Sequence, residues 1–354
     1  MLEVINISKR LGMFRMESIS FRVERGEYLV ILGRSGSGKT QLLENLAGLT
    51  TPDSGTLIHN DEDITLMPAQ KRDIGMVFQD FALFPHMTTY DNIAYPLRIR
   101  GETALKIEGG VKEIAGRMNI SSLLKRKTET LSGGERQRAA LARTVVTSPS
   151  LLLLDEPLAS VDASLKDDII RLLRSLNREG QTIIHVTHDY SEALALATRT
   201  GVLHNGRLIQ IGTPSEVFDR PVNRFVARYT GIKNFFRVSF TNNASGWSAT
   251  TSRGLKFIVD NNDYTSEGIL VVRNGNVRLI EKDDGGAAEA MNIIEASVID
   301  VIMTPAGREI ELDAGETMVA LVTAADRFAG TLKRGDPVTV GISPSDLIWL
   351  RNNN

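Results

Sequence analysis

The sequence predicts an α/β domain with a mostly parallel sheet, followed by a smaller all-β domain. Up to about residue 230, short apolar runs such as the four leucines at 151–154 alternate with helical segments. Strands that are apolar on both faces are typical of a parallel sheet covered by helices. Beyond about residue 235, short strand-like runs between Gly, Asn and Asp replace the helical periodicity. A chain of 354 residues is long enough for both cores.

Composition excludes several classes of function. The chain contains no cysteine, which rules out disulfides and thiolate metal sites. Its formal net charge of −2 gives no electrostatic reason to expect nucleic acid as a partner. No run approaches the roughly 20 apolar residues that cross a bilayer, and the amino terminus lacks a signal core. We therefore expect a soluble protein that works at a membrane only through a partner.

The first candidate site is a glycine-rich segment between a predicted strand, Tyr28–Leu32, and a predicted helix beginning near Lys39. The segment GRSGSGKT matches the phosphate-binding loop G-x-x-x-x-G-K-[ST] in the strand-to-helix context that this loop requires. We expect Lys39 to reach the β- and γ-phosphates of ATP and the Thr40 hydroxyl to ligate Mg²⁺. The alternative is a glycine-rich turn that caps an ordinary helix. The residues predicted to contact the nucleotide here are Gly33, Arg34, Ser35, Gly36, Ser37, Gly38, Lys39, Thr40 and Gln41.

A second candidate element is LLLLDEP, an apolar strand that ends in two carboxylates. Asp155 is expected to bind Mg²⁺ through its coordination shell, and Glu156 to polarise the attacking water as general base. Adjacent acids after a buried strand are otherwise a solvated strand end. The phosphate-binding loop earlier in the chain favours the catalytic interpretation.

The segment LSGGERQR precedes an alanine-rich helix and identifies the type of nucleotide site. It resembles the LSGGQ signature of the ATP-binding cassette (ABC) ATPases, matched by Ser132, Gly133 and Gly134, with Glu135 in the last place. The resemblance implies a P-loop NTPase cassette with a RecA-like core and a helical subdomain at about residues 81–148. It also implies a head-to-tail homodimer, in which each ATP is clamped between one subunit's phosphate loop and the other subunit's signature.

Three further residues match motifs of the ABC family. The resemblance makes Gln79 the Q-loop glutamine, a ligand of Mg²⁺ and water, and Asp162 the D-loop residue that communicates across the dimer. It makes His188 the switch histidine, which contacts the γ-phosphate and positions Glu156 or the water. The family usually carries an aromatic residue that stacks on adenine before the first glycine, where this chain has Leu11, and Phe14 is the nearby substitute.

The second domain narrows the subclass. A cassette at residues 1–232 followed by a β-barrel regulatory or dimerisation domain at 233–354 resembles prokaryotic importer ATPases. Within the second domain we expect two OB-like (TOBE/MOP-type) units, at about 235–281 and 291–351, joined by the polar linker EKDDGGAAEA. The resemblance implies peripheral attachment at the cytoplasmic face of the membrane, with membrane permease subunits and, indirectly, an extracytoplasmic substrate-binding protein as partners. The helical-lobe residues predicted to form an apolar groove for a permease helix are Phe81, Leu83, Phe84 and Met87.

The transported substrate stays open at this point. The sequence looks most similar to molybdate/tungstate transporter ATPases, some of which bind the oxyanion in the C-terminal domain. Donors for such a site would be Thr323, Ser343 and Ser345, but Asp326 stands where a carboxylate would repel an anion, which favours a structural domain. Iron(III), sulfate, polyamine and sugar import are alternatives. An alternative of another class is a soluble, non-transport ABC ATPase.

Overall fold

The computed structural model describes residues 1–159, 162–243, 246–260, 267–280, 292–326, 328 and 330–350. They belong to two compact units, Met1–Asp219 and Arg220–Asn354. Among the described residues, no helix has the length and apolar character needed to span a membrane. Each unit is described by itself below.

The strands of the first unit alternate with helices for most of its length. Its strands are β1 (Leu2–Leu11), β2 (Phe14–Val23), β3 (Tyr28–Leu32), β4 (Ser54–His59), β5 (Glu62–Asp63), β6 (Ile74–Val77), β7 (Leu151–Asp155), β8 (Thr182–Thr187), β9 (Arg199–His204) and β10 (Arg207–Gly212). Its helices are α1 (Lys39–Ala47), α2 (Thr89–Ile99), α3 (Ala104–Arg117), α4 (Gly133–Val145), α5 (Ala163–Arg178), α6 (Tyr190–Leu196) and α7 (Pro214–Asp219).

The central sheet has the strand order β10-β9-β3-β8-β7-β6. Strands β9, β3, β8, β7 and β6 are parallel, and β10 pairs with β9 in the antiparallel sense. Every residue of β3, β7 and β8 is buried, which explains why β3 and the four leucines of β7 are apolar. Strand β8 is buried as well, although it also contains Thr182, His185 and Thr187. The predicted parallel sheet is confirmed, and its carboxyl edge collects the loops that follow four neighbouring strands.

A second, antiparallel sheet with the order β2-β1-β4-β5 lies at the start of the chain. Its apolar side chains share one hydrophobic cluster with the central sheet and with α1. On α1, Leu42, Leu43 and Leu46 are fully buried in that cluster. Helix α1, which follows the phosphate loop, is therefore held by the cores of both sheets.

The second unit consists of two related sets of strands. After helix α8 (Arg224–Tyr229), the first set is β11 (Asn234–Asn243), β12 (Gly246–Thr251), β13 (Lys256–Val259), β14 (Glu267–Val272) and β15 (Arg278–Ile280). The second set is β16 (Asn292–Thr304), β17 (Gly307–Asp313), β18 (Thr317–Val322), β19 (Pro337–Ile342) and β20 (Ile348–Leu350).

The prediction of two consecutive barrel units needs correction, because the two sets exchange their last strands. The sheets have the orders β13-β12-β11-β14-β20 and β15-β19-β16-β17-β18. Strand β20 pairs with β14, and β15 pairs with β19. The inner faces share one apolar core, so neither 235–281 nor 291–351 is a separate folding unit. The predicted linker at 281–290 lies outside the described residues.

Two buried asparagines reinforce this exchange from symmetric positions, the first residues of β11 and β16. The side chain of Asn234 accepts from Val319 N at 2.6 Å and donates to Val319 O at 2.9 Å, on β18 of the other set. Asn292 makes the same pair of bonds with Ile258 of β13, at 2.5 and 3.1 Å. A side-chain amide carries both a donor and an acceptor, so it can satisfy both backbone groups of an edge residue.

The boundary between the units also differs from the prediction, since it falls after Asp219 instead of after residue 232. The reason is packing in the second unit. Ala227 of α8 and Ile232 are buried in a cluster with Ile269, Val271 and Leu350. The short helix therefore covers the outer face of the first sheet of the β unit.

Candidate active site

The topology places four predicted motifs side by side at the carboxyl edge of the central sheet. In the order β3-β8-β7-β6, the strands are followed by the Gly33 loop, His188, Asp155 with Glu156, and Gln79. Ligand sites of open α/β sheets lie at this edge, where successive strand ends face one crevice. Residues far apart in the sequence therefore meet at one site.

The phosphate loop turns tightly into α1. Gly38 is the residue before the helix, with a φ of 104°, and offers no side chain to satisfy the first helical N–H groups. Those groups are the usual anion ligands of a helix N-terminus. The loop is also fixed from behind: Gly33 N donates to Thr187 O at 3.2 Å, and Gly206 N, in the β9–β10 turn, donates to Ser37 O at 3.0 Å.

Lys39, Glu156 and His188 form the chemical centre of the site. The Lys39 ammonium donates to Gly33 O at 2.8 Å and lies 3.2 Å from Glu156 Oε1. The other carboxylate oxygen of Glu156 lies 2.5 Å from His188 Nδ1. Lys39 is buried and His188 is 61% exposed. The Glu156 carboxylate therefore contacts a buried lysine with one oxygen and a solvent-exposed histidine with the other. The predicted general base is thus held between two nitrogen groups.

Glu156 also has an unusual backbone conformation. Its φ of +46° lies in the left-handed region, which side chains other than glycine rarely adopt. Its N–H donates to Val186 O at 2.9 Å, so the chain leaves the sheet sharply at this residue. Strained residues of this kind are common where a side chain must be aimed at a site. Here the turn directs the carboxylate towards Lys39 and His188.

Thr40 and Asp155 bring two oxygen donors together. Thr40 Oγ1 donates to Asp155 Oδ1 over 3.4 Å, and Asp155 is only 3% exposed. Burial raises the pKa of the Asp155 carboxyl, although the bond from Thr40 lowers it. A hydroxyl and a carboxylate on neighbouring elements are the ligand types that Mg²⁺ prefers. The residues present therefore fit the predicted metal.

The other loop residues occupy different environments. Arg34, Ser35 and Gly36 are exposed on the outside of the loop. The Gln41 side chain, on α1, donates to Thr50 Oγ1 at 3.0 Å, in the segment between α1 and β4. Gln79 is exposed two residues beyond the end of β6, next to the strand that carries Asp155.

The first hairpin brings an aromatic side chain against the phosphate loop. Leu11 pairs with Phe14 across the hairpin and is 42% exposed. The Phe14 ring lies against the loop, because a Cβ added at Gly38 would be 2.5 Å from Phe14 Cζ. Phe14 therefore supports the phosphate loop, and its ring edge is occupied by this contact.

The signature segment lies elsewhere in the first unit, at the start of α4. Ser132 is exposed and caps the helix: its Oγ accepts from Glu135 N at 3.3 Å, and Ser132 N donates to Glu135 Oε2 at 2.7 Å. Glutamate in the fifth signature position thus completes a capping box. Gly134 is buried where α4 meets Leu165 of α5, while Gly133 is half-exposed.

Two residues of α4 were not predicted from the sequence. Gln137 is fully buried and its Nε2 donates to Pro157 O, directly after Glu156. Arg143 donates to the carbonyls of Phe81 and Ala82, just beyond Gln79, at 3.0 and 2.7 Å. Helix α4 therefore joins the predicted signature to the segment after β7 and to the segment that follows Gln79. The available signal was a glutamine on a helix face whose other residues are glycine, alanine, leucine and valine.

The predicted D-loop leads into α5. Asp162 is exposed and precedes the helix without a side-chain capping bond. One turn later, Lys166 Nζ lies 2.5 Å from Asp189 Oδ2 and 2.9 Å from Glu192 Oε1. Asp189 is adjacent to His188, so this ion-pair network connects α5, which follows the predicted D-loop, to the predicted switch histidine.

A phosphate loop, paired carboxylates at a strand end and a separate capped signature helix define a P-loop ATP-binding cassette. Residues 16–159 match the family described as ABC transporter. The chain belongs to the ABC transporter ATPase family, and it is an ATP-binding ATPase of that family.

Two relatives illustrate the similarity. The chain is 47% identical over 235 residues to the molybdate/tungstate import ATP-binding protein WtpC of Pyrococcus horikoshii, which covers 66% of this chain and 68% of the relative. It is 35% identical over 365 residues to the spermidine/putrescine import ATP-binding protein PotA of Nitrosomonas europaea, which covers 99% of both chains.

Solved structures agree with the cassette fold. A dimeric post-hydrolysis structure of the ATP-binding cassette MJ0796 with ADP and Pi has a TM-score of 0.55 and 27% identity, covering 60% of this chain and 99% of that one. The structure of cbiO1 from Clostridium perfringens, part of the ABC transporter complex cbiONQ, has a TM-score of 0.57 and 31% identity, covering 61% and 90%.

Proposed function

We propose that this chain is the ATP-hydrolysing subunit of an ABC importer for molybdate or tungstate. The observation that carries the substrate class is the 47% identity of its cassette to a molybdate/tungstate import ATP-binding protein. Polyamine import is the second candidate, because the spermidine/putrescine relative matches over 99% of the chain, although at 35% identity. Importers of this kind work with membrane permease subunits and an extracytoplasmic binding protein, so we infer that this chain works at the cytoplasmic face.

We propose that two copies associate head to tail. Ser132, at the exposed start of α4, offers a second set of helix N–H groups in addition to those of the Gly33 loop. The dimeric structures of the related cassette MJ0796 support this arrangement. ATP is then clamped by the phosphate loop of one subunit and the signature of the other.

Hydrolysis follows from the charges around Glu156. When ATP binds, the Lys39 ammonium exchanges the carbonyls of its own loop for the β- and γ-phosphates as hydrogen-bond acceptors. There it stabilises the developing negative charge. Glu156 accepts a proton from the attacking water as general base. His188 Nδ1, 2.5 Å from Glu156 Oε2, holds the carboxylate in its orientation.

Thr40 and Asp155 are the residues that would hold Mg²⁺, with Gln79 at the exposed edge of the same crevice. When bound, the ion neutralises charge on the phosphate oxygens. Burial raises the pKa of Asp155, and a bound cation would favour the ionised carboxylate and lower that pKa again.

We propose a structural role for the β unit in preference to an oxyanion sensor. Asp326 Oδ2 accepts bonds from Thr323 N at 2.6 Å and Thr323 Oγ1 at 2.9 Å. The hydroxyls of Ser343 and Ser345 bond to each other at 2.8 Å. Thr323 is therefore engaged by a carboxylate that repels an anion, and one of the two serine hydroxyls is engaged by the other.

The permease contact is proposed at the helical lobe. Leu83, Phe84 and Met87 are half-buried, and the Phe84 ring lies 4.8 Å from that of Tyr95. Phe81 is only 8% exposed, so the predicted groove is corrected to exclude it. An amphipathic permease helix would bind the remaining apolar side chains.

The test is ATP hydrolysis by the chain reconstituted with its permease and binding protein in lipid vesicles. We expect molybdate or tungstate on the binding-protein side to stimulate phosphate release, and spermidine to have no effect. Stimulation by spermidine alone would replace the oxyanion with a polyamine. Full activity of the chain without any permease, insensitive to all three solutes, would contradict the transport role.

A further inference from the structure

The second unit contains an arginine-lined pocket that the nucleotide site does not use. Its volume is about 280 Å³, and it opens on the outer face of the sheet that contains β11. Phe235 and Arg237 alternate with buried residues on that strand, and Ile269 is the cross-strand neighbour of Arg237. The charged side chains in the wall are Arg224, Arg237, Arg253 and Glu316.

The cations of this pocket lie close enough to repel one another. Burial lowers the pKa of the Arg224 guanidinium, and the charges of Arg228 and Arg237 lower it further. Arg224 Nε is buried and has no hydrogen-bond acceptor in the described part of the chain. Among the described residues, no carboxylate forms an ion pair with Arg224, Arg228 or Arg237. A buried donor without an acceptor, and cations that repel one another, are unfavourable until an anion binds.

An aromatic ring in the pocket wall restricts Arg224, which lines the pocket, and Arg228, which is not one of the lining residues. The Cζ atoms of Arg224 and Arg228 lie 5.8 and 5.3 Å from the centroid of the Phe235 ring. Stacking on an aromatic ring restricts the guanidinium and leaves its N–H fork available. Two or more guanidinium forks give the paired, charge-assisted hydrogen bonds that phosphate oxygens accept.

We propose that this pocket binds a small organic phosphate monoester, with its phosphate on Arg224 and Arg237. The volume of about 280 Å³ is near the lower end of small-molecule sites, roughly 300 Å³, and leaves room beyond the phosphate itself. Ile269 supplies an apolar surface for that remainder. Glu316 repels a bare anion and accepts a hydrogen bond from a hydroxyl, so it favours a hydroxylated ester over inorganic phosphate.

The test is isothermal calorimetry on the full chain with glycerol 3-phosphate and glucose 6-phosphate, compared with inorganic phosphate and glycerol. We expect both esters to bind and glycerol to give no heat. Arg237→Ala, at an exposed position, should weaken ester binding by about 10-fold or more, since charged hydrogen bonds are lost. Arg334→Ala removes the same charge from another exposed position of this unit and should leave binding within about twofold.

Two further variants distinguish this pocket from the nucleotide site and from a site for inorganic phosphate. Lys39→Ala should bind the esters as the wild type does, because the phosphate loop is not involved. Glu316→Gln should tighten inorganic phosphate and weaken the esters. Absence of ester binding, loss of binding in Lys39→Ala, or equal weakening by Arg334→Ala would overturn the proposal. If inorganic phosphate binds as tightly as both esters, the assignment to an organic ligand is overturned.

Discussion

Replacing Glu156 by glutamine tests the central assignment of the nucleotide site. The wild-type carboxylate contacts Lys39 at 3.2 Å and His188 at 2.5 Å. Glutamine has nearly the same shape, and its amide oxygen can still accept from Lys39. It cannot accept a proton from water. The variant therefore removes the chemistry and retains the geometry.

The expected decrease in the hydrolysis rate follows from the loss of the general base. Loss of a general base slows a reaction by about 10²- to 10⁴-fold, which corresponds to about 3 to 5 kcal/mol of activation free energy. Lys39 keeps its bonds to the carbonyls of Gly33 and Arg34, at 2.8 and 3.2 Å, so no cation is left without an acceptor. Removing a negative charge beside the phosphates also lowers repulsion. ATP affinity should therefore be unchanged or higher.

The assay combines phosphate release at saturating ATP with binding of a fluorescent ATP analogue and light scattering. We expect hydrolysis to fall while binding persists and an ATP-dependent dimer accumulates. Glu179→Gln is the control, because this exposed glutamate pairs with Arg117 and neither residue belongs to the candidate site. This variant should hydrolyse ATP at the wild-type rate. A hydrolysis rate within about threefold of the wild type would refute the assignment of the base.

Two other variants test the dimer and the ion-pair network. A mixture of Ser132→Arg and Lys39→Ala subunits should retain ATP-driven association through one intact composite site, whereas each variant alone should not associate. Association is measured by light scattering. Its loss in the mixture would indicate sites built within one chain. Lys166→Met should lower the free energy of unfolding by about 1 to 3 kcal/mol in urea at neutral pH, because it leaves buried Glu192 without its ammonium partner. Burial raises the pKa of Asp189 and of Glu192, but their hydrogen bonds lower both below the ordinary values. Their stabilisation is present above about pH 4.5 and is lost as the pH falls through the lowered values, so the wild type and Lys166→Met should converge in acid; a difference that persists at pH 2 would contradict this.

The sequence by itself determined the class of protein and most of the local chemistry. The loop before Lys39, the acids after β7 and the signature at Ser132 are contiguous patterns, and each depends on neighbouring residues alone. The buried strand β7 was predictable because a strand covered on both faces is apolar along most of its length, here Leu151 to Leu154. Fold class and candidate ATP residues could therefore be predicted from local patterns.

Only the tertiary structure decided which distant groups meet. The contacts of Glu156 with Lys39 and His188, and the bond from Gln137 to Pro157, arise from strand order and helix placement, which no local pattern encodes. The same holds for the β unit, where consecutive repeats exchange β15 and β20. Each short last strand finds its hydrogen-bond partners in the other sheet, because pairing satisfies backbone groups wherever an edge is available. Neighbourhood in the sequence carries no information about which edge that is.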